Sequence, residues 1–392
     1  MQINRERLRQ RLETLAELGR NDAGINRLTY TKEYWNSCDY VMQCMREAGL
    51  QVSTNSVGNL IGTYRGRTER KLTVGSHIDS VRNAGMFDGC LGVMAAIEAV
   101  QTLHEEGIVP QHSIDVAAWA EEEGLVIGGL FGSMAYCGLP HPKKWESRIR
   151  VRGISAKDIA ACRVQEPIDY SVELHIEQGG VLDQERQEIG VVTAIFAIRR
   201  YRVVIAGTAN HAGSTPMYLR DDALVKAAAL VTRLPELVRE IDGEMVGTIG
   251  RLEVSPGLVN TIPGRVELEL ELRAIREETL ERAYTRLTEE FADCIASIAP
   301  TMVQRAYPMD ETVRAAIWQA ADALGLKTMD IASGAAHDTM ALAQITRAGM
   351  IFVPSVSGVS HSEKEWTNWR DAANGAEVLL HTLLLLDEKK PE

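Results

Sequence analysis

The sequence predicts an α/β protein: a mixed, mainly parallel sheet domain with a ferredoxin-like α+β satellite domain inserted into it. Three observations carry this. An apolar run near 71–76, a helix-like stretch over 89–107 and a second apolar run at 113–119 follow one another, which is the strand–helix–strand order of a parallel unit. Residues 197–306 then change character and read β-α-β-β-α-β, the order of a ferredoxin-like unit. After about residue 307 the α/β pattern returns. A length of 392 residues suits two domains, expected as 1–196 with 307–392, and 197–306.

Taken in order, helices are expected at 3–19 and 31–49, the second closed by Gly49. Short strands flank a turn at Val57-Gly58-Asn59. "KLTVGS" reads as a strand, "GCLGVMAAIEAVQTLHEEG" as a helix closed by Gly107, and "SIDVAAWA" as a second buried strand. In the insert, strands are expected at 199–207, 244–254, 265–274 and 301–306, with helices at 219–239 and 276–298. The run 265–274 alternates Val and Leu with Glu and Arg, so one face is wet. Beyond the insert come helices at 310–325, 337–347 and 366–387, with the strand "GMIFVPS" before the last.

Composition narrows the function. With 45% hydrophobic residues the chain can bury a sizeable core. A formal net charge of -12 repels phosphate, so neither nucleic acid nor an anionic membrane is an expected partner. No apolar run approaches the roughly 20 residues of a membrane span. The charged amphipathic start lacks an apolar leader core, so a cytoplasmic location is expected. The six cysteines form no C-x-x-C pair and are expected to be buried and reduced.

The chemistry concentrates at strand ends. In "GSHIDSVRNAGMFDGCLGV" (75–93), His77 and Asp79 lie two apart and point to one side, and Asp88 stands at the entry of the next helix. The following strand ends in "AEEEG" (120–124). Sites in open α/β sheets form at the carboxyl ends of strands, so His77, Asp88 and the Glu121–Glu123 run should converge. That much negative charge calls for a cation, and histidine with carboxylates suits Zn²⁺ or Mn²⁺. His175 in "VELHIEQGG", beside Glu177 and Gln178, and His361 in "SVSGVSHSEKEWT" fit the same pattern. His104, His112, His141 and His381 read as surface residues.

At this point a resemblance is visible. "GSHIDSV…FDG", "EEEG", "ELHIEQG", "NHAGSTPM", "NTIPG" and "SGVSHS" occur in this order over almost the whole chain. The sequence thereby resembles the amidase/hydantoinase/carbamoylase branch of the dinuclear zinc-peptidase superfamily. This branch includes allantoate amidohydrolases, N-carbamoyl-L-amino acid hydrolases, β-ureidopropionases and ureidoglycolate amidohydrolases.

The resemblance implies two divalent ions per subunit, Zn²⁺ or Mn²⁺, with Co²⁺ or Ni²⁺ also compatible. Asp88 would bridge them, His77 and His175 would serve one, and Glu123 and His361 the other. Asp79 would hold the His77 ring in its ligating tautomer. Glu122 would be the general base, moving a proton from the attacking water to the leaving nitrogen. His211 of "NHAGSTPM" would act in the site of the other subunit of a homodimer and polarise the scissile carbonyl, with Asn260 of "NTIPG" sharing that role. Arg273 would clamp the substrate carboxylate, Gln178 would hydrogen-bond the ureido group, and His337 would be a further substrate contact.

The implied substrate is a small ureido carboxylate, cleaved to ammonia and CO₂. Allantoate is slightly favoured over an N-carbamoyl-L-amino acid because of "NRLTYTKEYW" (26–35). A dipeptidase or N-acyl-amino acid deacylase of the same superfamily, and a non-catalytic binder of small carboxylates, are the alternatives. The chain departs from the family pattern at Leu125-Val126-Ile127, at Ala336 before His337 and Asp338, and at Glu271.

Overall fold

The structure, a computed structural model, describes residues 1–389. The chain divides into two compact units: residues 1–193 with those from Met309 onward, and Ala194–Pro308.

The first unit is built on a mixed sheet. Its strands lie in the order Gln51–Thr54, Leu60–Tyr64, Ser113–Trp119, Lys71–His77, Ile168–Ile176, Arg347–Val353 and Ile189–Ile195, with Thr328–Ser333 pairing the last. The central four pair in parallel, whereas the outer pairings 51–54/60–64, 60–64/113–119 and 189–195/347–353 are antiparallel. Every residue of Ser113–Trp119 is buried, as expected of a strand covered on both faces. Helices Cys90–Glu105, Glu311–Ala323 and Trp369–Asp387 pack against the sheet and against one another. Their core includes Val93, Ile97, Val100, Ile317, Leu379 and Leu383. Among the described residues, no helix is long and apolar enough to cross a membrane.

The second unit is a four-stranded antiparallel sheet, in the order Val246–Ser255, Arg265–Ala274, Ala197–Ala206 and Ile295–Gln304. Helices Ala223–Ile241 and Glu277–Glu290 pack on it. The alternation in 265–274 resolves as read: Val266, Leu268, Leu270, Leu272 and Ala274 are buried, and the Glu and Arg residues between them are not.

Several elements differ from expectation. The helix expected over 276–298 stops at Glu290, and Ile295–Gln304 becomes a strand. The strand Ala197–Ala206 would otherwise leave its outer N–H and C=O groups unpaired, and residues 295–304 bond to it along almost its full length. The helix expected over 337–347 contracts to Thr339–Leu342, because Arg347 already pairs with Tyr170 in the sheet. Strands Ile189–Ile195 and Thr328–Ser333 were not foreseen.

His112, expected at the surface, is 3% exposed. Its Nδ1 lies 2.9 Å from Asp387 and its Nε2 3.0 Å from Asp169, and Asp169 also pairs with Arg70. Three residues of the run 26–35 likewise hold the fold. Arg27 is buried and donates to the carbonyls of Leu15, Leu18 and Ile78. The Tyr30 hydroxyl donates to the Val57 carbonyl, and Thr31 caps the helix Lys32–Glu47.

Candidate functional site

The four neighbouring parallel strands end at one edge of the sheet, and each delivers part of one cluster. Glu121–Glu123 follow Ser113–Trp119; His77, Asp79 and Asp88 follow or end Lys71–His77; His175 and Gln178 come from Ile168–Ile176; and His361 follows Arg347–Val353. The turns are strained. Glu121 (φ 64°), Gln178 (φ 58°) and His361 (φ 53°) are left-handed without being glycine, a conformation that concentrates where side chains must be aimed. Gly89 (φ 66°) cannot be replaced cheaply, since a Cβ there would lie 2.5 Å from His77 Nε2.

Asp88 is central. Its Oδ1 lies 3.2 Å from His175 Nε2 and 3.6 Å from His77 Nε2, and its Oδ2 lies 3.2 Å from His361 Nε2. Glu123 is 3.7 Å from His361 Nε2, and Glu122 is 3.8 Å from His77 Nε2. The ring of His175 donates from Nδ1 to the Ile176 carbonyl at 2.9 Å, and that of His77 to the Asp79 carbonyl at 3.0 Å. Both rings thus turn Nε2 toward the carboxylates.

Burial and mutual repulsion of the carboxylates dominate the electrostatics of the cluster. Burial drives the Glu122 pKa well above the usual carboxylate range, against the pull of His77 and with repulsion from Glu123 and Asp338 added. Burial and the Asp88 charge push Glu123 up to about 7. Burial opposes ionisation of Asp88 too, but hydrogen bonds from His175, His361 and His77 outweigh it and hold that pKa well below its ordinary value. The Asp88 hydrogen bond raises His361 to about 9.

The donor set fits metal ions. His77, Asp88 and His175 bring ligand atoms within 4.8 Å of one another, and so do Asp88, Glu123 and His361. Two ligands of one tetrahedral zinc, each about 2.1 Å from the ion, sit roughly 3.4 Å apart. Four of the six separations within these triads, at 3.2 to 3.7 Å, match that spacing. A third triad, Glu173 with His175 and His337, is satisfied internally. Glu173 accepts from Ser76 Oγ at 2.7 Å and from the Thr339 N–H and hydroxyl at 2.9 and 2.6 Å.

Three of the expected residues make contacts of their own. The His77 ring is held by the main-chain carbonyl of Asp79. The Asp79 carboxylate is 3.7 Å away and instead accepts the N–H groups of Glu122 and Glu123 at 3.3 and 3.2 Å, so it shapes the turn that carries them. His337 is 1% exposed. Its Nε2 meets Ser333 Oγ at 3.0 Å, and its ring packs edge-on to His175, with centroids 4.5 Å apart. Gln178 donates from Nε2 to Asp88 Oδ2 at 3.1 Å, and its Oε1 is buried with no hydrogen-bond partner.

Sequence reasoning missed Glu173 and Glu365. A signal existed for the first, since a glutamate two residues before His175 in a buried strand shares its side of the sheet. Glu365 lay in a stretch singled out only for His361.

The remaining candidates belong to the second unit. His211 is exposed, and its Nδ1 accepts the N–H groups of Gly213 and Ser214 at 3.0 and 3.1 Å. The ring proton is therefore on Nε2, free to donate outward. Asn260 is also exposed, and its carbonyl accepts the Ala212 N–H at 2.9 Å, which joins the two loops. Arg273 lies 2.6 Å from Glu271, which also pairs with Arg200.

Residues 73–385 match the model of peptidase family M20/M25/M40. An N-carbamoyl-L-amino acid amidohydrolase of Geobacillus stearothermophilus is 41% identical, over 97% of this chain and 98% of its own. An allantoate amidohydrolase of Bacillus subtilis is 32% identical, over 96% of each. Among solved structures, an amidase of the hydantoinase/carbamoylase family from Burkholderia multivorans superposes with a TM-score of 0.90 at 30% identity, covering 100% of this chain and 99% of that one.

Proposed function

The chain belongs to peptidase family M20/M25/M40, and from that premise we propose that it is a metal-dependent amidohydrolase that cleaves the ureido group of an N-carbamoyl-L-amino acid. The observation that carries this reading is the double triad around Asp88, with the carboxylate of Glu122 beside it. His77, Asp88 and His175 would hold one ion, and Asp88, Glu123 and His361 the other. When bound, the ions supply positive charge that polarises the ureido carbonyl and acidifies the attacking water.

The chain's own residues do the rest. Glu122 takes the proton from the attacking water and delivers it to the leaving nitrogen. The unpartnered Oε1 of Gln178 accepts an N–H of the ureido group. His211, donating from Nε2, polarises the carbonyl from the partner subunit of a homodimer, and Asn260 assists. Arg273, steadied by Glu271, meets the substrate carboxylate. One water is consumed, and the ureido group leaves as ammonia and CO₂ with the free amine restored.

The choice between substrates shifts toward N-carbamoyl-L-amino acids. The relative named for that activity is 41% identical, against 32% for the one named for allantoate. The run 26–35 that favoured allantoate is accounted for by Arg27, Tyr30 and Thr31 holding the fold.

The test is ammonia release by Zn²⁺- or Mn²⁺-loaded protein from a panel of N-carbamoyl-L-amino acids beside allantoate. Turnover of the panel is expected. Turnover of allantoate alone would overturn the substrate, and silence on both would overturn the activity.

A further inference from the structure

We propose that Glu365 is a positioning residue for Asp88, on which both ions depend; this rests on the reading of the cluster as a two-ion site. Glu365 is 3% exposed. Its Oε1 accepts the N–H groups of both Phe87 and Asp88 at 3.1 Å, and its Oε2 accepts from Ser360 Oγ at 3.0 Å. One carboxylate thus ties the turn that carries Asp88 to the loop that carries His361.

The surroundings are shaped to this tie. A Cβ on Gly85 would come within 2.4 Å of Glu365 Cβ and 2.6 Å of its Oε1, so the turn 85–88 closes onto the carboxylate. Phe87 packs edge-on against Trp366 and Trp369, with centroids 5.4 and 5.3 Å away, which backs the turn with rigid rings. The location is a costly one for an anion, first because it is buried and then because Asp88 already brings negative charge. Three donors on two oxygens offset that cost. Fixing the Asp88 N–H fixes the backbone from which its side chain must meet three imidazoles at once. Residues that orient ligands typically change metal affinity about 10–100-fold when removed.

The experiment uses the full chain as wild type, Glu365→Ala, Glu365→Asp and Glu365→Gln. Each is stripped with a chelator and titrated with Zn²⁺ against a chromophoric competitor. The melting temperature of the ion-free protein, kcat and KM are read alongside. Glu365→Ala and Glu365→Asp are expected to weaken Zn²⁺ about 10–100-fold and to lower kcat more than they raise KM. The shorter aspartate keeps the charge but cannot reach both N–H groups. Glu365→Gln, whose carbonyl can accept both while its amide donates to Ser360, is expected to recover most of the loss.

Wild-type affinity in Glu365→Ala or Glu365→Asp would overturn the proposal. So would equal damage in Glu365→Gln and Glu365→Ala, or an affinity loss seen only where the ion-free protein has already melted. If Glu365→Ala does not fold, Glu365→Asp and Glu365→Gln carry the same comparison. A wild-type protein that bound no Zn²⁺ would instead remove the two-ion reading itself.

Discussion

The strand Ile168–Ile176 carries a buried histidine–carboxylate cluster at each end, and the two ends are built on opposite principles. At the amino end, His112 places each ring nitrogen on a carboxylate, Asp387 and Asp169, and Asp169 also pairs with Arg70. Two potential cations meet two anions, and every ring nitrogen is used. At the carboxyl end, the carboxylates of Asp79, Asp88, Glu122 and Glu123 crowd against three imidazoles. There His77 and His175 spend Nδ1 on backbone carbonyls and turn Nε2 to the shared Asp88 carboxylate. Burial does not separate the two ends, because His112, His77 and His175 are all nearly inaccessible. Charge balance and the partner of Nδ1 do. A balanced, closed cluster holds the fold together, whereas an open one with surplus negative charge suits cations.

The largest effect expected of this contrast is at Glu122. Glu122→Gln should lower kcat about 10²–10⁴-fold, the usual share of a general base, while the ion content measured by elemental analysis stays at the wild-type level. A parallel fall in ion content would make Glu122 a ligand, an assignment open to it because it also clusters with His77 and Glu123.

At the other end, His112→Gln should leave ion content and KM alone and cost stability, about 1.5–3 kcal/mol for a lost charge-assisted hydrogen bond. The sign with pH follows from the shift. The hydrogen bond to Asp387, with that to Asp169, raises the His112 pKa above its ordinary 6.5 against the opposing effect of burial. Its stabilisation is therefore full below about 6.5, the unfolded value, and fades as pH rises through the raised folded value. Denaturant titrations at pH 6 and pH 9 should show the larger deficit at pH 6; a deficit growing toward pH 9 would mean that the ring is held neutral.

The smallest effect serves as a control. Arg20→Ala breaks the exposed pair between Arg20 and Glu17, which has neither burial nor a network. Its loss should be within error in the same titrations, at either pH.

Much of this was legible in the chain. The strand–helix–strand order around 71–119 and the alternation in 265–274 are local patterns, and local patterns survive folding when they agree with the packing. His77, Asp88, the Glu run, His175 and His361 could be placed near one another because the polar residues follow apolar runs at strand ends. The misses share one cause. The short helix Thr339–Leu342, the strand Ile295–Gln304 and the role of Glu173 are each set by a partner strand or side chain distant in sequence. Local propensity cannot see these.

The sequence by itself determined which chemical groups stand at the strand ends and that the parallel sheet would gather them. Only the tertiary structure decided which histidines gather around Asp88 and which one is a latch. His112 meets Asp387, 275 residues away, and Asp88 meets Glu365, 277 residues away. A side chain's protonation and hydrogen-bond partners are properties of such assembled neighbourhoods, and no window along the chain contains them.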